Sequence, residues 1–291
     1  MDPAYSSMPP PGPDDGVKPM SVAAAFMWAA GAQLAYLWVL FLTGSLRGEA
    51  SYDPIGGVMA QVVGYLFTLY LMLRVYAPEL AIRDFVALRK THVALYPLGL
   101  VLGVACTLPA YWLLGAMEKV YPSADDSNAL VDLFYRFTMP ERVLVAVMIV
   151  VAGPIVEELV FRGALFRPLR QTLSVPKVMA VTGALFAMVH INPVTFEAQH
   201  LPSLFVMGLV LGYVRWASGS LVPPVLLHMG FNAVPFIDLF RYQTKPSDDV
   251  AETISMDLMP IAFALAVILI GVMHVLAIRS RTASGARRQD G

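Results

Sequence analysis

Two adjacent carboxylates, Glu157 and Glu158, stand in an apolar run that carries no charged side chain from Val143 to Val156. A carboxylate at the centre of a bilayer costs roughly 2.5–3.5 kcal/mol on insertion scales, so ionisable groups placed there mark functional sites and have partners. Arg162 follows Glu158 by four residues, which on a helix sets acid and base on one face in the better order. Glu157 is turned about 100° away from Glu158. The spacing therefore predicts a charge-compensating pair, Glu158 with Arg162, and leaves Glu157 to face a site. The competing expectation is a buried polar network that only joins helices. Gly153 and Pro154 come just before the pair. A proline deletes a backbone hydrogen bond and usually kinks the helix, which would open space beside the carboxylate. Membrane helices also carry prolines that their neighbours simply accommodate.

Two more spacings place polar groups on common helical faces: Phe186 with His190, and His228 with Asn232. One histidine in an apolar helix is most often structural. Two of them, an asparagine and a paired acid on three separate spans point to a shared site. His92, His200 and His274 are expected to be structural or solvated, Asn192-Pro193 to end a helix, and Arg215 to snorkel from a span end. The chain has no H-E-x-x-H zinc motif, no G-x-G-D and no serine nucleophile motif. Any proteolysis would have to use Glu, His and Asn.

The elements that must position these residues are membrane helices. Of 291 residues, 57% are hydrophobic and 14% charged, against about 25% charged in soluble domains; the mean hydropathy is +0.65. Apolar blocks reach the roughly 20 residues that cross a bilayer. The predicted fold is all-α, a polytopic membrane bundle of about eight transmembrane helices, near 22–43, 56–76, 93–115, 142–166, 176–191, 201–217, 221–238 and 257–278. The fifth and sixth are the shortest. The block from Val22 is too long for a signal-peptide core. Residues 1–20 are expected to be a disordered tail, 21–280 the membrane-embedded domain with its motif core at about 140–240, and 281–291 a basic tail. Basic residues concentrate on alternate loops, which predicts both termini in the cytoplasm. Between Leu130 and Phe137 the pattern fits either a short interfacial helix or a loop packed on the bundle. With these limits Glu157 lies toward the cytoplasmic end of its helix and His190 toward the outer end of its own. They can meet if the fourth helix continues toward Arg170. A net charge of −1 gives no sign of a nucleic-acid partner. The single cysteine, Cys106, excludes an internal disulfide and a multi-thiolate metal site. Without an internal repeat, an inverted-repeat transporter is disfavoured.

The order E-E-x-x-x-R, F-x-x-x-H, H-x-x-x-N, at Glu157, Glu158 and Arg162, Phe186 and His190, and His228 and Asn232, resembles the type II CAAX prenyl endopeptidases. These are also called the CPBP or Abi family of intramembrane proteases. The resemblance implies a conical cavity opening to the cytoplasmic side and to lipid. It implies that Glu157 and His190 hold and activate a water, that His228 and Asn232 stabilise the oxyanion, and that Glu158, Arg162 and Phe186 support the site. A metal-free reaction without cofactor is the preferred reading. The alternative is Zn2+ held by Glu157, His190 and His228, since two His and one Glu are also a catalytic zinc set. The implied partners are membrane lipid and a protein or peptide substrate entering from the bilayer or the cytoplasmic side. Short loops and an alanine-rich chain point to a bacterial cytoplasmic membrane. The rival functions are a non-catalytic scaffold or immunity protein of the same fold, and a proton-coupled transporter.

Overall fold

A computed structural model describes residues 16–47, 54–122, 134–191, 198–241 and 253–289. Among these residues there is helix and turn and no strand. The helices are α1 (Val22–Arg47), α2 (Pro54–Tyr76), the short α3 (Ile82–Phe85), α4 (Leu95–Glu118), α5 (Met139–Arg170), α6 (Val175–Val189), α7 (Leu201–Ser218), α8 (Val222–Arg241) and α9 (Thr253–Gln289). Six of them are long and apolar enough to cross a membrane, and α6 and α8 contribute shorter apolar segments. The eight expected spans all appear as helices. The sixth, expected to be short, is a full-length helix extended by a 3-10 turn at Ala198–His200.

Helix α5 is not uniform. It runs as α-helix from Met139, as a π-turn over Met148–Ala152, as α-helix over Gly153–Glu158, as a second π-turn over Leu159–Ala164, and as α-helix again to Arg170. Such π-turns leave a main-chain carbonyl without its helical partner and are frequent at functional sites. Both glutamates sit on the α segment between the two turns.

The chain doubles back between Arg170 and Val175 into α6, and this settles the expected mismatch in height. Glu157 lies 13 residues before Arg170, and His190 lies 15 beyond Val175. At 1.5 Å per residue those are about 20 Å and about 22 Å from the same turn. The two side chains are therefore level.

Close helix crossings hold the bundle. On α4, Gly99 and Gly103 face α8; a Cβ on Gly99 would stand 2.6 Å from the Pro223 carbonyl oxygen, and one on Gly103 would strike the Leu227 carbonyl. Gly183 on α6 meets Gly208 on α7, where a Cβ on Gly208 would come within 2.6 Å of the Gly183 Cα. Small residues that let backbones touch are how helices associate where lipid removes the hydrophobic driving force.

Several connections are tied together at one end. Leu221 N donates to Ala87 O, the Ser220 hydroxyl to Arg89 O, and the Thr91 hydroxyl to Ser218 O, tying the α3–α4 connection to the α7–α8 turn. The N-terminal segment joins this end. Lys18 N donates to Tyr76 O and Met20 N to Pro168 O, and Val17 and Met20 are buried. The tail expected to be structureless through residue 20 is thus anchored from residue 17, because two apolar side chains find the core. Residues 1–15 lie outside the described residues, as do 130–133 of the 130–137 segment. The described part packs on the bundle: Phe134 is buried edge-on against Phe236 and Phe240. The expected basic tail at 281–291 continues α9 as helix to Gln289.

Candidate active site

Glu158 and Arg162 are both wholly buried, and Arg162 Nη1 donates to Glu158 Oε1 at 2.8 Å. Arg162 Nη2 donates to the Gly208 carbonyl at 3.0 Å, reaching α7 through its glycine crossing. The guanidinium lies 4.7 Å from the Phe186 ring centroid, a cation over an aromatic face. The pair expected from the spacing forms, and it anchors three helices together.

Glu158 Oε1 also accepts a hydrogen bond from His228 Nδ1 at 3.0 Å. With Nδ1 protonated toward that carboxylate, the ring turns its Nε2 to the other side. His190 is arranged alike: its Nδ1 lies 2.7 Å from the Phe186 carbonyl oxygen. His190 follows the last residue of α6, where terminal carbonyls lack an intrahelical partner, so the ring N–H caps its own helix. The Phe186 ring holds both imidazoles, at centroid distances of 4.6 Å to His190 and 5.5 Å to His228.

Both Nε2 atoms turn toward Glu157. Its Oε2 lies 3.8 Å from His190 Nε2 and 3.7 Å from His228 Nε2. These gaps exceed a direct hydrogen bond and are of the size at which a bridging water is considered. Glu157 is 7% exposed, while the His190 side chain is 32% exposed, so the cluster is reached from the His190 side. Glu157 Oε1 accepts from Gln61 Nε2 on α2 at 2.8 Å. Sequence reasoning passed over Gln61. Its only signal is that it is the sole carboxamide of α2.

Asn232 reaches α5 elsewhere. Its Nδ2 donates to the Ile149 carbonyl at 3.1 Å. The π-turn explains why. Gly153 N donates to Met148 O, five residues back, so the next donor due, at Ile149 O, would be residue 154. Residue 154 is proline and has no N–H. The Asn232 amide takes that place. In the second π-turn, Arg162 O accepts from Arg215 Nε at 2.9 Å. Arg215 is buried and lies 5.3 Å from the Phe166 ring centroid, so it does not snorkel. Its backbone-carbonyl partner supplies the polar contact it would otherwise seek at the interface. Of the remaining histidines, His274 Nδ1 lies 2.7 Å from the Tyr213 hydroxyl, and His92 is exposed. Asn192-Pro193 lies outside the described residues.

The tautomer that leaves two Nε2 lone pairs facing a carboxylate is also the one zinc requires, with the Nδ1 atoms bonded to oxygen. Zinc holds its ligands at about 2.0–2.2 Å, which draws ligand atoms closer together than Glu157 and the imidazoles stand. Among the described residues, no group of three or more His, Cys, Asp or Glu is arranged to hold a metal ion. An apolar cavity of about 560 Å³ between α4, α7 and α9 lies elsewhere, lined among others by Cys106, Trp112, Met207 and Phe263 and by none of the residues above.

The carboxylate, the two imidazoles and the amide-bearing helix all fall in one segment that can be compared with known families. Residues 139–234 match the family model of Rce1-like type II CAAX prenyl endopeptidases. The Rce1-like match begins at the first residue of α5 and ends two residues after Asn232. Gln61 lies outside it. An uncharacterized 24.3 kDa protein of Escherichia coli is 30% identical over 129 residues, 40% of this chain. The chain spans 58% of that relative's length. No solved structure matches.

Proposed function

We propose that the chain is a multi-pass intramembrane endopeptidase in which Glu157 activates a water for attack on a peptide bond of a membrane-associated protein or peptide. One observation carries this reading: Glu157 Oε2 is the oxygen that both imidazole Nε2 atoms face, at 3.7 and 3.8 Å, while Oε1 is held by Gln61. A water between Oε2 and His190 Nε2 would stand within reach of Glu157 as base. Proton transfer by a positioned group contributes typically 10²–10⁴-fold.

As hydroxide adds to the carbonyl carbon, Glu157 takes the proton and later returns it to the leaving amine. The developing oxyanion meets His228 and Asn232. His228 Nδ1 is committed to Glu158, so His228 donates from Nε2 in its doubly protonated form. Asn232 contributes its second amide N–H. Removing one such preorganised donor typically costs about 10²–10³ in rate. No metal enters these steps. The substrate arrives from lipid or from the side that we assign to the cytoplasm, where both termini also lie, and the host membrane is a bacterial cytoplasmic membrane.

The test is substrate trapping. Glu157→Gln keeps size and polarity and removes the basic oxygen. Membranes carrying it should accumulate intact proteins that are cut when the wild type is present. Purified Glu157→Gln should cleave an internally quenched peptide ending in a farnesylated Cys-aliphatic-aliphatic-X sequence, or its unfarnesylated twin, orders of magnitude more slowly than wild type. Wild-type cleavage by Glu157→Gln would sink the assignment. Identical captured proteins and no cleavage by either form would support a scaffold instead.

A further inference from the structure

Gln61 is half-buried on α2, 96 residues from Glu157 in sequence and hydrogen-bonded to it at 2.8 Å. A carboxylate takes only donors, so the amide must present its NH₂ to Glu157. Tyr65 stands one helical turn along α2, and its hydroxyl donates to Gln33 Oε1 on α1 at 3.4 Å. Tyr65 is 1% exposed and packs edge-on against Phe161 of α5, so its ring has one seat and α2 is fixed against α1 and α5. Gln61 is the α2 side chain that touches the carboxylate.

We propose that Gln61 is the positioning residue of Glu157. A carboxylate whose two oxygens were free to exchange would offer either one to the imidazoles at a range of angles. With Oε1 pinned, the carboxylate plane is set by α2, and Oε2 keeps its station opposite both Nε2 atoms. This division of labour rests on the reading of Glu157 as the base. The matched family segment contains neither Gln61 nor Tyr65.

The experiment compares wild type, Gln61→Leu, Gln61→Asn, Tyr65→Phe and Glu157→Gln in detergent or lipid nanodiscs, with the farnesylated quenched peptide as probe. Gln61→Leu should lower kcat roughly 10–100-fold with KM within about twofold of wild type, the scale of a small misplacement of a reacting group. Tyr65→Phe keeps the ring and leaves the Gln61–Glu157 contact in place, so its kcat should stay within about twofold of wild type. Gln61→Asn keeps the amide but is one methylene too short, so it should behave like Gln61→Leu while leaving α2 polar. It serves if Gln61→Leu fails to fold.

A second readout needs no turnover. The infrared carboxylate bands of Glu157, isolated as wild type minus Glu157→Gln, should shift when Gln61 is replaced by Asn or Leu. An unchanged band, or a wild-type kcat in both Gln61 variants, would overturn the proposal. So would a loss confined to KM or to thermal stability. If Glu157→Gln is inactive while the Gln61 variants are not, only this inference fails. If Glu157→Gln cleaves normally, the reading of the base fails first.

Discussion

Arg162 shows how much a single side chain can carry in a dry setting. It neutralises Glu158, reaches the Gly208 carbonyl and lies over Phe186. Glu158 in turn holds His228 by Nδ1. Removing one partner of a buried ion pair leaves an uncompensated charge at a cost of about 3–5 kcal/mol. Arg162→Ala should therefore express poorly and melt at markedly lower temperature. A stable, well-folded Arg162→Ala that lost only activity would place Arg162 at the substrate. The residues of this site were legible from type and spacing, since E-E-x-x-x-R, F-x-x-x-H and H-x-x-x-N each fit one helical face. Gln61 was not, because its partner is 96 positions away and no local spacing announces it.

At the scale of the element, α5 is the unusual part. Its length was underestimated from hydropathy: the expected span ended at 166, whereas the helix continues to Arg170 through two charged residues that hydropathy discounts. Its π-turns leave no mark in a hydrophobic period. Pro154 hinted at a disturbance but not at its remedy. If the Asn232 amide stands in for the missing N–H, the two positions are coupled. Asn232→Leu should destabilise the protein by about 1–3 kcal/mol, the usual cost of leaving a buried acceptor unsatisfied. In a Pro154→Ala background the alanine N–H can take the Ile149 carbonyl, and the same substitution should cost much less. A double-mutant cycle on thermal stability measures that difference, and strict additivity would refute the coupling. The α4–α8 crossing makes a simpler prediction. Gly103→Val would drive a side chain into the Leu227 backbone next to His228, so both stability and cleavage should fall.

For the whole molecule, the sequence reading of fold class held because apolar blocks of bilayer length permit few other solutions, and the eight helices follow those blocks closely. Their heights relative to one another were harder to infer, because a one-dimensional hydropathy pattern says nothing about where a hairpin turns. The two measurements at this scale concern metal and orientation. Metal-stripped protein should keep its cleavage activity. One zinc copurifying per chain, with chelation abolishing activity and zinc restoring it, would convert Glu157, His190 and His228 into ligands of a metal that activates the water. In a Cys106→Ser background, Lys177→Cys should be shielded from an impermeant thiol reagent applied outside cells, and Lys119→Cys should be labelled. The Asn232–Ile149 bond also bears on how such a molecule is made. The donor that completes α5 is translated 83 residues after the carbonyl it serves. Until α8 arrives, α5 must lodge in the translocation machinery or the bilayer with a bare main-chain oxygen, an expensive state in hydrocarbon. The last hydrogen bond of α5 thus waits on the arrival of α8.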